Sequence, residues 1–143
     1  MPNFRTLSDV VFASEQISLS DIAAAKAAGI RTIINNRPDG EDLSAPQGEA
    51  VEAKARAEGL SYVSIPIGHS GFSEPQIDAM IEALQATEAG VLAYCRSGTR
   101  STFLWALASA KQGVDPDAII KAALAAGYDV SPVRPMMDML AMR

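Results

Sequence analysis

The sequence predicts an α/β fold: a mostly parallel sheet of four to five strands, helices on both of its faces, and a helical C-terminus. Three observations carry this expectation. Short apolar runs of β character alternate with helical patterns, the connections between them are short, and no strand-like run follows the one ending at Tyr94. Parallel neighbours need crossovers, and crossovers place helices over the sheet.

Four strands are expected, at residues 10–13, 32–35, 62–65 and 91–94, from β-branched and aromatic runs bounded by polar residues. Ser20 is the expected cap of a helix running to Gly29, and Pro46 opens an Ala/Glu-rich helix ending near Gly59. Ser73 caps a third, whose Ile77, Met80, Ile81 and Leu84 have the i, i+3, i+4, i+7 spacing of one buried face. Three helices then close the chain. The first covers residues 101–112 with Phe103, Leu104, Trp105 and Leu107 on several faces, so it should be largely buried. The second starts at Asp115-Pro116, packs Ile119, Ile120, Ala123 and Leu124, and stops at Gly127. The last begins at Pro135 and buries Met136, Met137 and Leu140. The cluster of Met136, Met137, Met139 and Met142 reads as core filling rather than a soft-metal site.

The chain has 143 residues, the size of one domain, with 48% hydrophobic and 20% charged residues, a composition that folds. Twelve Lys and Arg against seventeen Asp and Glu leave a net charge of −5, the wrong sign for nucleic acid or an anionic membrane surface. No segment has the length of a membrane span and no N-terminal targeting pattern is evident, so a cytoplasmic protein is expected. One Cys and one His exclude an internal disulfide and a zinc site of four protein ligands, and no cofactor is implied.

The lone Cys95 lies in Tyr94-Cys95-Arg96-Ser97-Gly98-Thr99-Arg100-Ser101, between a buried strand and a buried helix. This is the geometry of an anion site. Gly98 lets the backbone curl so that successive N–H groups face one centre, and the helix adds its positive N-terminal end. A thiol facing backbone donors and two guanidiniums favours its thiolate and becomes a nucleophile. Arg100 is placed to clamp an oxyanion through paired N–H groups. Arg96, Ser97, Gly98 and Thr99 complete the anion-binding loop, and the Ser101 hydroxyl is expected to donate to the thiolate or to a leaving sulfur.

Gly29-Ile30-Arg31-Thr32-Ile33-Ile34-Asn35-Asn36-Arg37-Pro38-Asp39-Gly40-Glu41, together with residues 92–101, resembles the phosphatase-like domain family of beta-lactamase-hydrolase-like proteins over roughly residues 1–112. The resemblance implies a fold similar to dual-specificity protein phosphatases. Some members are fused to a metallo-beta-lactamase-type persulfide dioxygenase, which implies sulfide and persulfide metabolism and such an enzyme as a partner.

Cys phosphatases place five residues between Cys and Arg, whereas four stand between Cys95 and Arg100. Four is the spacing of rhodanese-type sulfurtransferases, whose loops resemble Cys95 to Ser101 closely, although the helical C-terminus does not resemble a rhodanese. Dual-specificity phosphatases also carry an acidic Asp after the third strand, where this chain has Pro66-Ile67-Gly68-His69-Ser70-Gly71-Phe72. His69 falls about where that acid belongs, while persulfide transfer needs no strong acid because its leaving groups are stable anions. Arg37, after a central strand, is expected on the same rim as Cys95, recruiting the anion. The leading expectation is therefore a sulfurtransferase that carries sulfane sulfur as a Cys95 persulfide from a small anionic or persulfide donor to a thiol acceptor. The rivals are a Cys phosphatase acting through phosphocysteine and a non-catalytic anion- or persulfide-binding module.

Overall fold

The computed structural model describes residues 3–142. Its elements run β1 (Arg5–Thr6), β2 (Val11–Ser14), α1 (Leu19–Ala27), β3 (Ile30–Asn35), α2 (Gly48–Ala57), β4 (Ser61–Ser64), α3 (Glu74–Gln85), β5 (Gly90–Tyr94), α4 (Thr99–Lys111), α5 (Pro116–Ala125), a 3-10 turn (Ser131–Val133) and α6 (Arg134–Ala141). The five strands form one sheet in the order β1-β2-β5-β3-β4. All pairings are parallel except that of β1, an antiparallel edge placed by Arg5 opposite Ala13. This two-residue strand is too short to leave a periodic signal in the sequence.

Alternation along the central strands assigns side chains to two separate cores. Ile34, Val91 and Ala93 point to the side covered by α3 to α6, among Met80, Leu104, Leu107 and Met137. Ile33, Leu92 and Tyr94 point to the side covered by α1 and α2, among Ile22, Val51 and Ala55. The sheet is thus covered on both faces.

Helix starts are set by local chemistry. α1 is capped by Ser18 rather than Ser20, because Ser18 accepts from the Asp21 N–H while Asp21 bonds back to the Ser18 N–H. The same reciprocal pair forms between Ser73 and Gln76 at α3. α2 starts at Gly48 after Gln47, two residues beyond the expected Pro46. α4 begins at Thr99 rather than at 101, since Gly98 in a left-handed conformation, φ +91°, is its N-cap. Nine of its residues between Ser101 and Ala110 are buried, Trp105 among them.

At the C-terminus, Ile119 and Ala123 of α5 and Met137 and Leu140 of α6 are buried as expected. Leu124 and Met136 are exposed instead, with Met139 and Met142. These helices lie against the protein on one side only, so apolar residues off the inward stripe stay in solvent.

The strand order brings the carboxyl ends of β2, β5 and β3 side by side. In open α/β sheets that end is where ligands bind.

Candidate active site

Cys95 follows the last residue of β5 and is fully buried. Its own N–H donates to the Ser14 carbonyl of the neighbouring strand at 3.3 Å, which fixes the start of the loop. The loop then turns through Gly98, whose N–H donates back to Cys95 Sγ at 3.1 Å. Gly98 is required twice over. Its positive φ disfavours any side chain, and a Cβ there would collide with the Tyr128 hydroxyl. Further bonds hold the loop from outside: the Gln16 N–H donates to the Arg96 carbonyl at 3.2 Å, and the Tyr128 hydroxyl to the Ser97 carbonyl at 3.1 Å. Ser97 Oγ donates to Thr99 Oγ1 at 3.0 Å, and Thr102 Oγ1 to the Gly98 carbonyl at 2.8 Å.

Arg100, in the first turn of α4, reaches across the mouth of the loop. Its Nη1 donates to the Ile67 carbonyl and to Glu41 Oε2, both at 2.7 Å, and its Nη2 to Glu41 Oε1 at 2.8 Å. Arg37 joins the same carboxylate, donating from Nε to Glu41 Oε1 at 2.9 Å, while its Nη1 donates to Gln16 Oε1 at 2.9 Å. Asn35, ending β3, steers Arg37 by accepting its backbone N–H at 2.9 Å. The two guanidiniums, Arg100 first, hold the Glu41 carboxyl down to about 2.

An open cleft of about 700 Å³ lies over this arrangement, lined by Arg37, Glu41, Asp42, Gly68, His69, Arg96, Ser97, Thr99 and Arg100. Arg37, His69, Arg96, Ser97, Thr99 and Arg100 therefore share one cavity, with Cys95 and Gly98 buried in the loop beneath. His69 is exposed on the loop after β4.

Ser101 departs from its expected role. It is fully buried, and its hydroxyl donates to Asn36 Oδ1 at 2.7 Å. A hydroxyl has one proton to give, so this bond removes it from Cys95. Asn36 in turn donates to the Ile65 carbonyl at 2.9 Å, tying α4 through β3 to β4.

Sequence reasoning assigned no role to Glu41, Asn36, Gln16 or Tyr128. The Arg37-to-Glu41 spacing is the one local signal among them. Gln16 and Tyr128 reach the loop only through tertiary folding, Tyr128 from 31 residues beyond Ser97.

Comparison with known proteins gives the setting for this geometry. A Beta-lactamase hydrolase-like protein from Xylella fastidiosa is 42% identical over 85 residues, covering 59% of this chain but 20% of the relative, so the chain spans about a fifth of the length of the curated relatives it matches. The crystal structure of a candidate phosphatase from Neisseria meningitidis is 30% identical with a TM-score of 0.82, covering 98% of this chain and 99% of that one. P. aeruginosa TpbA, solved in complex with pTyr, shares the fold at 17% identity, with a TM-score of 0.68 over 98% of this chain and 88% of its own. The family model for the phosphatase-like domain of the Beta-lactamase hydrolase-like protein matches residues 3–113, which take in β1 to β5, the Cys95 loop and all of α4. With most of the chain matched and the whole site inside the match, this chain belongs to the Beta-lactamase hydrolase-like protein, phosphatase-like domain family.

Proposed function

We propose that the protein is a Cys95-dependent phosphatase acting on small phosphomonoesters. The observation that carries this reading is the Gly98 N–H on Cys95 Sγ, in a loop whose Arg96, Ser97 and Thr99 line one cleft with Arg100. The likeness to the Neisseria candidate phosphatase over nearly the whole of both chains, and the shared fold of a protein solved with pTyr, support phosphoryl over sulfur chemistry.

In this reading the Cys95 thiolate attacks phosphorus and the bond from phosphorus to the leaving oxygen breaks. Loop amides and Arg100 hold the equatorial oxygens. The leaving alkoxide needs a proton. Glu41 does not carry one at neutral pH, and Asp42 is held ionised by its hydrogen bonds from Ser44. His69 is the remaining titratable group on the cleft able to give a proton to an alkoxide, and so is assigned the general acid. Water then attacks the phosphocysteine, releasing phosphate and restoring the thiolate.

Sulfur transfer is the second reading, favoured by the four residues between Cys95 and Arg100 and by the lack of an Asp at residues 66–72. There the thiolate attacks the outer sulfur of thiosulfate, sulfite leaves with the bonding pair, and a thiol acceptor later takes the sulfur from the Cys95 persulfide.

Intact-protein mass spectrometry after separate incubation with an aryl phosphate and with thiosulfate decides between them, alongside assays of released phosphate and of released sulfite. The expected result is phosphate release that is lost in Cys95→Ser, with a phosphoryl adduct on trapping. Uptake of one sulfur atom with no phosphate release replaces the first reading with the second.

A further inference from the structure

Tyr128 lies outside the stretch matched by the family, in the turn after α5, yet it touches the catalytic loop. Several contacts place it there. Its N–H returns to the Ala123 carbonyl at 2.9 Å, closing the end of α5 around Gly127, which has a φ of +95°. Arg5 of β1 lies over the phenol ring, 5.5 Å from its centroid, and donates from Nη1 to the Ala126 carbonyl at 2.9 Å. The ring is thereby gripped between the edge strand and the loop, with its hydroxyl aimed at the Ser97 carbonyl.

The bond falls on one particular peptide group. The Ser97 carbonyl that accepts from Tyr128 and the Gly98 N–H that donates to Cys95 Sγ are the two ends of the same planar unit. Fixing the oxygen fixes the direction of the N–H. A donor on the oxygen also draws charge through the amide and makes the N–H a stronger donor, because hydrogen bonds in a chain polarise one another. Burial raises the phenol above its ordinary range, so it holds its proton and remains a donor.

We propose that Tyr128 is a positioning residue for the nucleophile: through the Ser97–Gly98 peptide it aims and strengthens the N–H that holds the Cys95 sulfur. This rests on the reading of Cys95 as the nucleophile. It makes the C-terminal helices part of the active-site machinery, although the catalytic groups all precede them.

The test is Tyr128→Phe, which keeps the ring and deletes the donor, with Arg5→Met as a second variant that loosens the ring without touching it. Three measurements are made on the full chain: the Gly98 amide resonance in a ¹⁵N-labelled sample, the rate of Cys95 alkylation by iodoacetamide at pH 7, and Tm. In Tyr128→Phe the Gly98 amide proton should move upfield and alkylation should slow about fivefold, the worth of roughly one hydrogen bond. Arg5→Met should move both in the same direction by less. A fall in Tm with the Gly98 resonance and the alkylation rate unchanged in both variants overturns the proposal and leaves Tyr128 as packing. Failure of the nucleophile reading is separately visible as full turnover in Cys95→Ser, which does not alter the resonance test.

Discussion

Glu41 bridges both terminal nitrogens of Arg100: its two carboxylate oxygens accept from Nη1 and Nη2 at 2.7 and 2.8 Å, one of them shared with Arg37. A carboxylate there holds the guanidinium in register. It also sets a negative charge beside the place where an anion must sit. Glu41→Gln should therefore tighten sulfate binding about fivefold at low salt, an effect that shrinks as ionic strength rises. Isothermal titration in two salt concentrations reads both. Weaker sulfate binding in the variant would mean that holding Arg100 outweighs the repulsion.

The same carboxylate makes stability depend on acidity. The folded protein holds Glu41 near 2, against an ordinary 4.5. A depressed carboxyl contributes stability that is present above about 4.5 and is lost as pH falls through the interval down to about 2. Because the side chain is 24% exposed, about 1 kcal/mol is expected after solvent screening. Urea unfolding at pH 7 and across that interval should show the chain exceeding Glu41→Gln by about this margin at neutral pH, with the two curves merging near pH 2.

Ser101→Ala should cost about 1–3 kcal/mol, since it leaves the buried Asn36 carbonyl oxygen without its donor. Cys95 alkylation should barely change, because the hydroxyl gives its one proton to Asn36 and not to the thiol. Thermal denaturation and an iodoacetamide time course separate the two. A large loss of thiol reactivity at unchanged Tm would restore Ser101 to the sulfur.

His69→Ala separates chemistries by leaving group. Hydrolysis of an alkyl phosphate should fall about 100-fold, the usual cost of a lost general acid. An aryl phosphate with an acidic phenol should be turned over at close to the parent rate, because its phenoxide leaves without a proton. Equal losses on both substrates would assign His69 to binding.

Much of this architecture was legible in the sequence. The parallel sheet and the order of helices followed from alternation, and the Cys95 loop announced itself because strand, glycine, two arginines and helix fall within a dozen residues. Arg37 reached the same rim because it follows a central strand at the ligand-binding end of the sheet. What was not legible was pairing. Ser101 had a chemically reasonable partner one loop away, and only the fold, which sets Asn36 beside it across 65 positions of sequence, shows that Asn36 takes its proton. Glu41 drew no role until folding brought Arg100 to it across 59 positions of sequence. The phosphatase-versus-sulfur expectation rested on loop length and on the lack of an Asp at residues 66–72, both local properties. Likeness over nearly the whole chain to the Neisseria protein supports the other side.

The burial of α4 has a consequence for how this protein fails. From Ser101 to Ala110 almost every side chain of the helix that follows the Cys95 loop is packed away from water. Such a segment belongs to the last cooperative unit to open, so its amides exchange with solvent only when the whole chain unfolds. The anion cradle is therefore not a soft spot that melts ahead of its scaffold. Heating should extinguish activity and global structure together, while partial opening stays confined to the rim that carries Glu41 and His69.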